Sequence, residues 1–366
     1  MKSCHRRQLV TQEYILIAIC LLLIVGLVRI CILHQTSVEQ FHIYIPDPIE
    51  FSNKSNIYEG HPVRTTILTA KGLASYEEVE TNVFRPFNYK ILKPTYPIPK
   101  LGFIIKPSCN DIFNGFLAIA RGGSFSAPPP KRMSKEQKKA YLLNGYTKQW
   151  EQSNGSSLIW DKIQQWMTMP REQYVDYGVE GLSVFHALRD YPVNNMSGLV
   201  IGSQTPWVEV LALKSGAREI LTVEYHNIEI TGTKKIKRVH PIEFAENWKN
   251  NVDSFDFVIS FSSLEHSGLG RYGDKLDPIG DLREVLKTLC VLKKGGIFIF
   301  ATHRGQDGLA WNAHRTYGRI RLAMIMAGFE WLDTYRGFSP YPLQPTRDEL
   351  ELENSQVQDL FVLRKL

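Results

Sequence analysis

Two residues near the middle of the chain are spaced as in a nucleoside-binding site. Gly202 ends an apolar run, Leu199–Ile201, and Glu224 ends a second apolar run 22 residues after that glycine. A carboxylate that ends the second strand of an α/β sheet can accept hydrogen bonds from both ribose hydroxyls. Glycine lets a cofactor lie against the backbone where a Cβ would block it. The pair favours such a site over its alternative, a turn glycine and a solvated acid.

The residues that follow this glycine extend the predicted site. They stand just before a predicted helix with Pro206 at its first position, and they are Ser203, Gln204 and Thr205. Backbone amides at the start of a helix bind carboxylates and phosphates. We expect these three residues to hold the anionic part of a cofactor, with Thr205 as the N-cap of the helix.

Two later strands also end in polar side chains. After the predicted strand 255–261 these include Ser262, Glu265 and His266, and after the strand 297–301 they include His303 and His314. Ligands of open α/β sheets bind outside the carboxyl ends of the strands, so these residues converge on one edge. We expect Ser262 and Glu265 to contribute to cofactor binding.

Histidine is the side chain best suited to take a proton at neutral pH. His266 follows the strand beside the predicted cofactor site, so it is the first choice as catalytic base, with His303 and His314 next. Each could equally be a hydrogen-bonded structural residue. An alternative is a divalent-metal site that combines His266 with three nearby acids, Asp274, Asp277 and Asp281. Acids in the first turn of a helix explain two of these equally well, so no metal is predicted.

The elements that must position these residues alternate between short apolar runs and longer helical patterns. Such alternation begins near residue 175 and is typical of a parallel sheet flanked by helices. The predicted strands are 199–201, 220–223, 237–239, 255–261, 297–301, 329–335 and 360–363. Helices are predicted after Thr205, from about Asp277 to Lys294, and from Ala313 to Ala327. The pattern predicts an α/β, Rossmann-like, mostly parallel sheet of about seven strands.

Two of these strands lie in segments that resemble a known superfamily. Phe255–His266 and Leu292–Ile299 resemble the fourth-strand and fifth-strand motifs of class I S-adenosylmethionine-dependent methyltransferases. This resemblance covers about residues 195–335 and implies S-adenosylmethionine as the cofactor. More narrowly, His266–Asp274, Asp277-Pro278 and Asn312–Gly318 are similar to a domain-of-unknown-function family expanded in nematodes.

The first glycine loop departs from the methyltransferase pattern. Those enzymes usually carry an acid-x-Gly-x-Gly sequence, whereas Val200–Pro206 keeps one glycine and lacks the preceding acid. Ser203, Gln204 or Thr205 could still hold the methionine moiety. The same departure is expected of a non-catalytic, methyltransferase-like binding or scaffold domain, so that alternative stays open.

The beginning of the chain predicts a membrane anchor. Residues 14–33 form an apolar run with one charge, Arg29, and are long enough to span a bilayer as a helix. Lys2, Arg6 and Arg7 precede the run and no Lys or Arg follows it from residue 34 to 53, which places the N-terminus in the cytosol. We expect a cytosolic tail (1–13), a signal anchor (14–33), a stem and extension (34–174) and a lumenal or extracellular domain (175–366). A cleaved signal peptide is the alternative.

Other features bear on the compartment and the partners. Three sequons, at Asn53, Asn154 and Asn195, lie on the predicted lumenal side and fit a glycoprotein. Cys109 and Cys290 could form one disulfide there, although Cys290 also fits a buried position in a helix. The net charge is +6, but its one dense stretch, 131–139, lacks interleaved aromatic residues, so no nucleic-acid partner is expected.

Together these features favour a single-pass, membrane-anchored methyltransferase of the secretory pathway. Its acceptor would be a hydroxyl or carboxyl group, on a small molecule or a glycan. A non-catalytic domain is the second hypothesis. A type II glycosyltransferase would fit the membrane topology, but the chain has no Asp-x-Asp pair of the kind that holds a sugar-nucleotide metal.

Overall fold

The computed structural model describes residues 66–69, 71–123, 158–310, 313–337, 339–353, 355 and 357–366. The predicted membrane span at 14–33, the sequons at Asn53 and Asn154, and the basic stretch 131–139 lie outside these residues. Within the described ranges, no helix is both long enough and apolar enough to cross a membrane.

The strands are between two and twelve residues long. In chain order they are β1 (Thr66–Thr69), β2 (Gly72–Ser75), β3 (Tyr89–Lys93), β4 (Lys100–Phe103), β5 (Leu158–Trp160), β6 (Ser197–Ile201), β7 (Glu219–Val223), β8 (Ile228–Ile230), β9 (Ile236–Val239), β10 (Phe255–Phe261), β11 (Leu292–His303), β12 (Gly308–Leu309), β13 (Arg315–Thr316), β14 (Phe329–Tyr335) and β15 (Gln358–Lys365).

The helices lie between these strands. In chain order they are α1 (Tyr76–Val79), α2 (Cys109–Gly122), α3 (Ile163–Thr168), α4 (Leu182–Asp190), α5 (Trp207–Lys214), α6 (Pro241–Glu246), α7 (Gly280–Val291), α8 (Arg319–Ile325) and α9 (Arg347–Leu350). A π-helix covers Glu80–Phe84, and short 3-10 helices cover Arg85–Phe87, Arg171–Gln173, Trp248–Asn251 and Leu264–His266.

Seven strands form the central sheet, in the order β14-β15-β11-β10-β6-β7-β9. The neighbours from β11 to β9 are all parallel, whereas β15 runs antiparallel to both β11 and β14. This arrangement confirms the predicted fold class, a mostly parallel Rossmann-like sheet. Strand β6 has β7 on one side and β10 on the other, so the strand order reverses there. The crevice at the carboxyl end of β6 is therefore where such a sheet binds ligands.

Hydrophobic cores cover both faces of the sheet. Adjacent residues of a strand point to opposite faces. In β10, Val258 belongs to one core, whereas its neighbours Phe257 and Ile259 belong to the other. Burial on both faces explains why the central strands appear in the sequence as continuous apolar runs.

Two predicted helices are shorter than expected. Helix α7 ends at Val291 because Leu292 already pairs with Phe255 of β10, so β11 contains Lys293 and Lys294. Helix α8 begins at Arg319 and not at Ala313, since the chain from Arg315 to Thr316 pairs as β13. The carboxylate of Asp307 then accepts backbone hydrogen bonds of 2.9 to 3.0 Å at the start of α8, from Gly318, Ile320 and Arg321.

The described part of the extension packs on the domain that carries the sheet. The fully buried Arg319 of α8 donates hydrogen bonds to the carbonyl oxygens of Thr66 and Pro97 and to the hydroxyl of Tyr76. A disulfide joins Cys109 at the start of α2 to Cys290 near the end of α7. The structure thus forms the disulfide that the sequence allowed, and residues from both segments share one hydrophobic core.

Candidate functional site

A cleft of about 220 Å³ opens at the carboxyl edge of the sheet, where β6, β7 and β10 end. Its walls include most of the predicted cofactor residues, which are Gly202, Ser203, Gln204, Thr205, Glu224 and Ser262. Of the predicted bases, His266 lies in the wall. Glu265, His303 and His314 are not among the lining residues.

Gly202 is required by its backbone and by a close neighbour. Its φ of +72° lies in the left-handed region, which favours glycine. A Cβ at this position would stand 2.0 Å from Oγ of Ser263, in the loop that follows β10. The missing side chain therefore lets the loops after β6 and β10 meet at the switch point of the sheet.

Glu224 is a buried acid and not a solvated strand end, because only 7% of it is exposed. One carboxylate oxygen accepts the backbone N–H of Ser203 at 3.1 Å. The other accepts the backbone N–H of His226 at 2.9 Å and lies 3.0 Å from Nδ1 of the same histidine. Sequence reasoning missed His226, because its contact with Glu224 depends on how the chain turns after β7.

The loop between β6 and α5 is hydrogen bonded to residues of the segment that precedes β6. The N-cap of α5 is Pro206, and the predicted N-cap, Thr205, instead donates its hydroxyl hydrogen bond to the carboxylate of Asp176. Trp160 donates its indole N–H to the carbonyl oxygen of Gln204 at 3.1 Å. Thr205 and Gln204 are exposed and line the outer wall of the cleft. The two hydrogen bonds hold this wall in place from outside the sheet.

A second buried acid, Glu209 of α5, lies beneath this loop. It is fully buried and accepts a hydrogen bond from the hydroxyl of Thr222 at 2.8 Å, whereas its Oε2 has no hydrogen-bond partner among the described residues. Burial raises the pKa of Glu209 to about 7. Glu209 is not among the residues that line the cleft, so it does not replace the acid that the first loop lacks. A lone acid within an otherwise apolar run, Trp207–Leu213, was the signal in the sequence.

Glu265 lies behind the cleft wall and is fully buried. Its Oε1 accepts a hydrogen bond from the hydroxyl of Ser262 at 2.9 Å and stands 3.9 Å from Nε2 of His266 and 3.8 Å from Nδ1 of His303. Its Oε2 has no hydrogen-bond partner among the described residues. Burial raises the pKa of Glu265 to about 7. This position suits an acid that exchanges a proton better than one that contacts a cofactor.

The three predicted histidines form one cluster. The ring centroids of His303 and His314 are 4.7 Å apart, and those of His266 and His314 are 6.3 Å apart. Burial lowers the pKa of His266 to about 3 and that of His303 to about 4, and it also lowers the pKa of His314. All three are therefore neutral at pH 7, and His266 is a weaker base than the ordinary histidine assumed from the sequence.

The acids of the alternative metal site are engaged elsewhere. Asp274 accepts backbone hydrogen bonds from Gly268, Gly270 and Tyr272. Asp277 pairs with Arg283 at 2.7 Å, and Asp281 pairs with Arg321. Within the described part of the chain, no group of three or more His, Cys, Asp or Glu residues is arranged to hold a metal ion.

Comparison with known proteins supports the narrower resemblance. Residues 195–366 match the model of a family described as "Caenorhabditis protein of unknown function, DUF268". No curated protein matches the chain. Among solved structures, 1,6-didemethyltoxoflavin-N1-methyltransferase of Burkholderia thailandensis, with bound 1,6-didemethyltoxoflavin and S-adenosylhomocysteine, is 14% identical with a TM-score of 0.37, over 65% of this chain and 94% of its own. An S-adenosylmethionine-dependent methyltransferase of Mesorhizobium loti is 17% identical with a TM-score of 0.31, over 51% of this chain and 100% of its own.

Proposed function

We propose that this chain is a membrane-anchored, S-adenosylmethionine-dependent methyltransferase of the secretory pathway. Its acceptor is a hydroxyl or carboxyl group, on a small molecule or a glycan. The observation that carries the proposal is the buried carboxylate of Glu224, which lines an open cleft beside Gly202 at the switch point of the sheet.

The cleft fits the nucleoside part of the cofactor. A carboxylate has about four acceptor sites, and Glu224 uses two for backbone N–H groups and one for His226, so it can still accept from a ribose hydroxyl. Those three donors also fix the orientation of the carboxylate before any ligand binds. Such pre-organisation lowers the entropy cost of binding.

Proton removal falls to the acid–histidine cluster. S-adenosylmethionine, when bound, supplies an electrophilic methyl group, so the chain must mainly align the acceptor and take its proton. Nδ1 of His266 lies 2.5 Å from the carbonyl oxygen of Ala313 and therefore carries the hydrogen, which leaves a lone pair on Nε2. Glu265 is the stronger base of the two, and its Oε1 stands 3.9 Å from Nε2, beyond direct hydrogen-bond distance, so a proton taken by His266 would reach Glu265 through one bridging water.

Two observations support the lumenal location. A disulfide between Cys109 and Cys290 is typical of proteins that fold in an oxidising compartment. Asn195, the acceptor of the third sequon, is exposed. A lumenal chain is predicted to lose mass on deglycosylation and to be protected from protease in sealed microsomes, whereas a protease-sensitive domain would contradict this topology.

A second candidate, a non-catalytic binding domain, is favoured by one observation. The polar groups of Glu224 are already bonded within the protein, and the first loop lacks the usual glycines. If these bonds and the altered loop prevent cofactor binding, the domain would serve only as a binding or scaffold domain.

Calorimetric titration of the purified full-length chain separates these functions. The proposal predicts heat on titration with S-adenosylmethionine and none with a sugar nucleotide such as a uridine diphosphate sugar. Folded protein that gives no heat at millimolar methyl donor favours the scaffold. Heat with the sugar nucleotide alone would support a glycosyltransferase instead.

A further inference from the structure

One end of the cleft is apolar, and part of it is formed by residues outside the segment that matches the family model. Phe116, Ile119 and Ala120 of helix α2 line the cleft, although α2 lies outside residues 195–366. Helix α2 packs on α6 through Phe113, whose ring centroid lies 6.4 Å from that of Phe244. Pro241, the first residue of α6, lines the same cleft.

The apolar end continues to the residue that follows the buried acid. Tyr225 also lines the cleft, and its ring centroid lies 5.4 Å from that of His240, the residue before Pro241. Since Glu224 precedes Tyr225 in the chain, the carboxylate and the apolar patch are neighbours. A ribose held by Glu224 would therefore have an apolar surface next to it.

Helix α2 is held firmly in this position. The disulfide between Cys109 and Cys290 fixes its start, and the ring of Phe113 stacks on that of Trp248 at 5.4 Å with an angle of 6° between the planes. Nζ of Lys287 lies 3.7 Å from the ring centroid of Phe116. Phe116 is 8% exposed, so the helix presents a packed surface to the cleft and not a loose one.

We infer that helix α2, anchored by the disulfide, forms the wall that contacts the nucleobase of the cofactor. This inference rests on the proposed function. A planar aromatic base is the ligand that an apolar wall beside a ribose-binding acid fits, because bases stack on and pack against apolar side chains. The extension is then a part of the binding site, and reduction of the disulfide weakens binding by releasing the wall.

Two alanine-to-leucine substitutions on α2 test the wall, and neither of them removes atoms from the core. Ala120 lines the cleft, whereas Ala118, on the same helix, is exposed. In the full-length chain, Ala120→Leu is expected to lower the affinity for S-adenosylhomocysteine and for adenosine by about tenfold or more, the scale of one lost base contact. Ala118→Leu should leave both affinities within about twofold of wild type.

Two further variants extend the same titration. Phe116→Ala is expected to cost about tenfold for both probes. The pair Cys109→Ser with Cys290→Ser should weaken both in the same direction, and circular dichroism checks that each variant is folded at the titration temperature.

The outcomes separate the inference from the function it rests on. Wild-type protein that binds S-adenosylhomocysteine, with Ala120→Leu and Phe116→Ala binding equally well, overturns the wall and leaves the methyltransferase proposal intact. A loss for S-adenosylhomocysteine without a loss for adenosine places α2 at the amino-acid end and also overturns the inference. Wild-type protein that binds neither probe refutes the proposed function itself.

Discussion

Two buried acids at the carboxyl edge of the sheet are held in different ways. Glu224, after β7, has both oxygens bonded to N–H donors of the protein. Glu265, after β10, has one oxygen bonded to Ser262 and the other without a hydrogen-bond partner among the described residues. The first arrangement stabilises a fixed carboxylate that can accept further hydrogen bonds. The second penalises the charged form, so the acid is ready to gain a proton.

Replacement of the first acid should give the largest effect. Glu224→Ala is expected to weaken binding of S-adenosylhomocysteine by about 100-fold, since hydrogen bonds to a charged group contribute about 1.5 to 3 kcal/mol each. Calorimetry on the full-length chain measures this. Glu219→Ala is the matched control and should bind normally, because Glu219 lies at the opposite end of β7, is half-exposed and pairs with Arg218. Equal binding by both variants would remove Glu224 from the site.

Replacement of the second acid should change the stability of the fold and leave cofactor affinity unchanged. Glu265→Gln is expected to leave the affinity for S-adenosylhomocysteine within about twofold and to stabilise the fold at high pH. Burial raises the pKa of Glu265 to about 7 from an ordinary 4.5, so the unfolded chain releases this proton first and the stability of the wild type falls as pH rises from 4.5 to 7. Between pH 4.5 and 8 the gain in unfolding free energy over wild type should grow by up to about 3 kcal/mol.

Chemical denaturation at several pH values measures that gain. Using the change with pH, and not the absolute value, cancels any packing difference between Glu and Gln. A gain that stays constant from pH 4.5 to 8 would show that Glu265 ionises normally, and the contrast with Glu224 would be lost.

The lowered pKa values of the histidines predict that stability falls as pH decreases, which is the opposite pH dependence. The folded-state pKa of His303 is lowered to about 4 from 6.5, so the unfolded chain binds the proton first and stability falls as pH drops from 6.5 to 4. Replacing His303 by Asn should reduce this loss by at most about 1.4 kcal/mol per pH unit. Identical acid denaturation curves for the variant and wild type would contradict the lowered pKa.

A change in the exposed part of the first loop should have the smallest effect on the affinity for S-adenosylhomocysteine. Thr205→Val removes the hydroxyl that donates to Asp176 but leaves the backbone amides in place. Because exposed hydrogen bonds contribute little, the affinity for S-adenosylhomocysteine should fall by less than about threefold. A fall comparable to that of Glu224→Ala would mean that the loop, and not the buried acid, dominates binding.

The sheet and the edge of the site could be predicted because their signals are local. Strand β10 appears in the sequence as an apolar run, and Gly202 and Glu224 stand where such runs end. Position along a strand is enough to assign a residue to the carboxyl edge. The placement of these residues in one cleft followed from that rule.

The rest depends on contacts between distant segments. Glu209 lies in an apolar helix, and only the folded structure shows its burial and its hydrogen bond to Thr222. Phe116 reaches the cleft because α2 packs on α6, far away in the chain. The burial of Glu265 depends on the surrounding loops, so its sequence position suggested a cofactor contact that its geometry does not favour.

The central claim is that Glu224 accepts a hydrogen bond from a ribose hydroxyl of a nucleoside cofactor. Its most direct test compares the affinities of S-adenosylhomocysteine and its 2′,3′-dideoxy analogue in the wild-type chain and in Glu224→Ala. The account predicts that removing the hydroxyls weakens binding to wild type by about 100-fold and to Glu224→Ala by only a fewfold, because the partner of the hydroxyls is already gone. An equal loss in both proteins would contradict it.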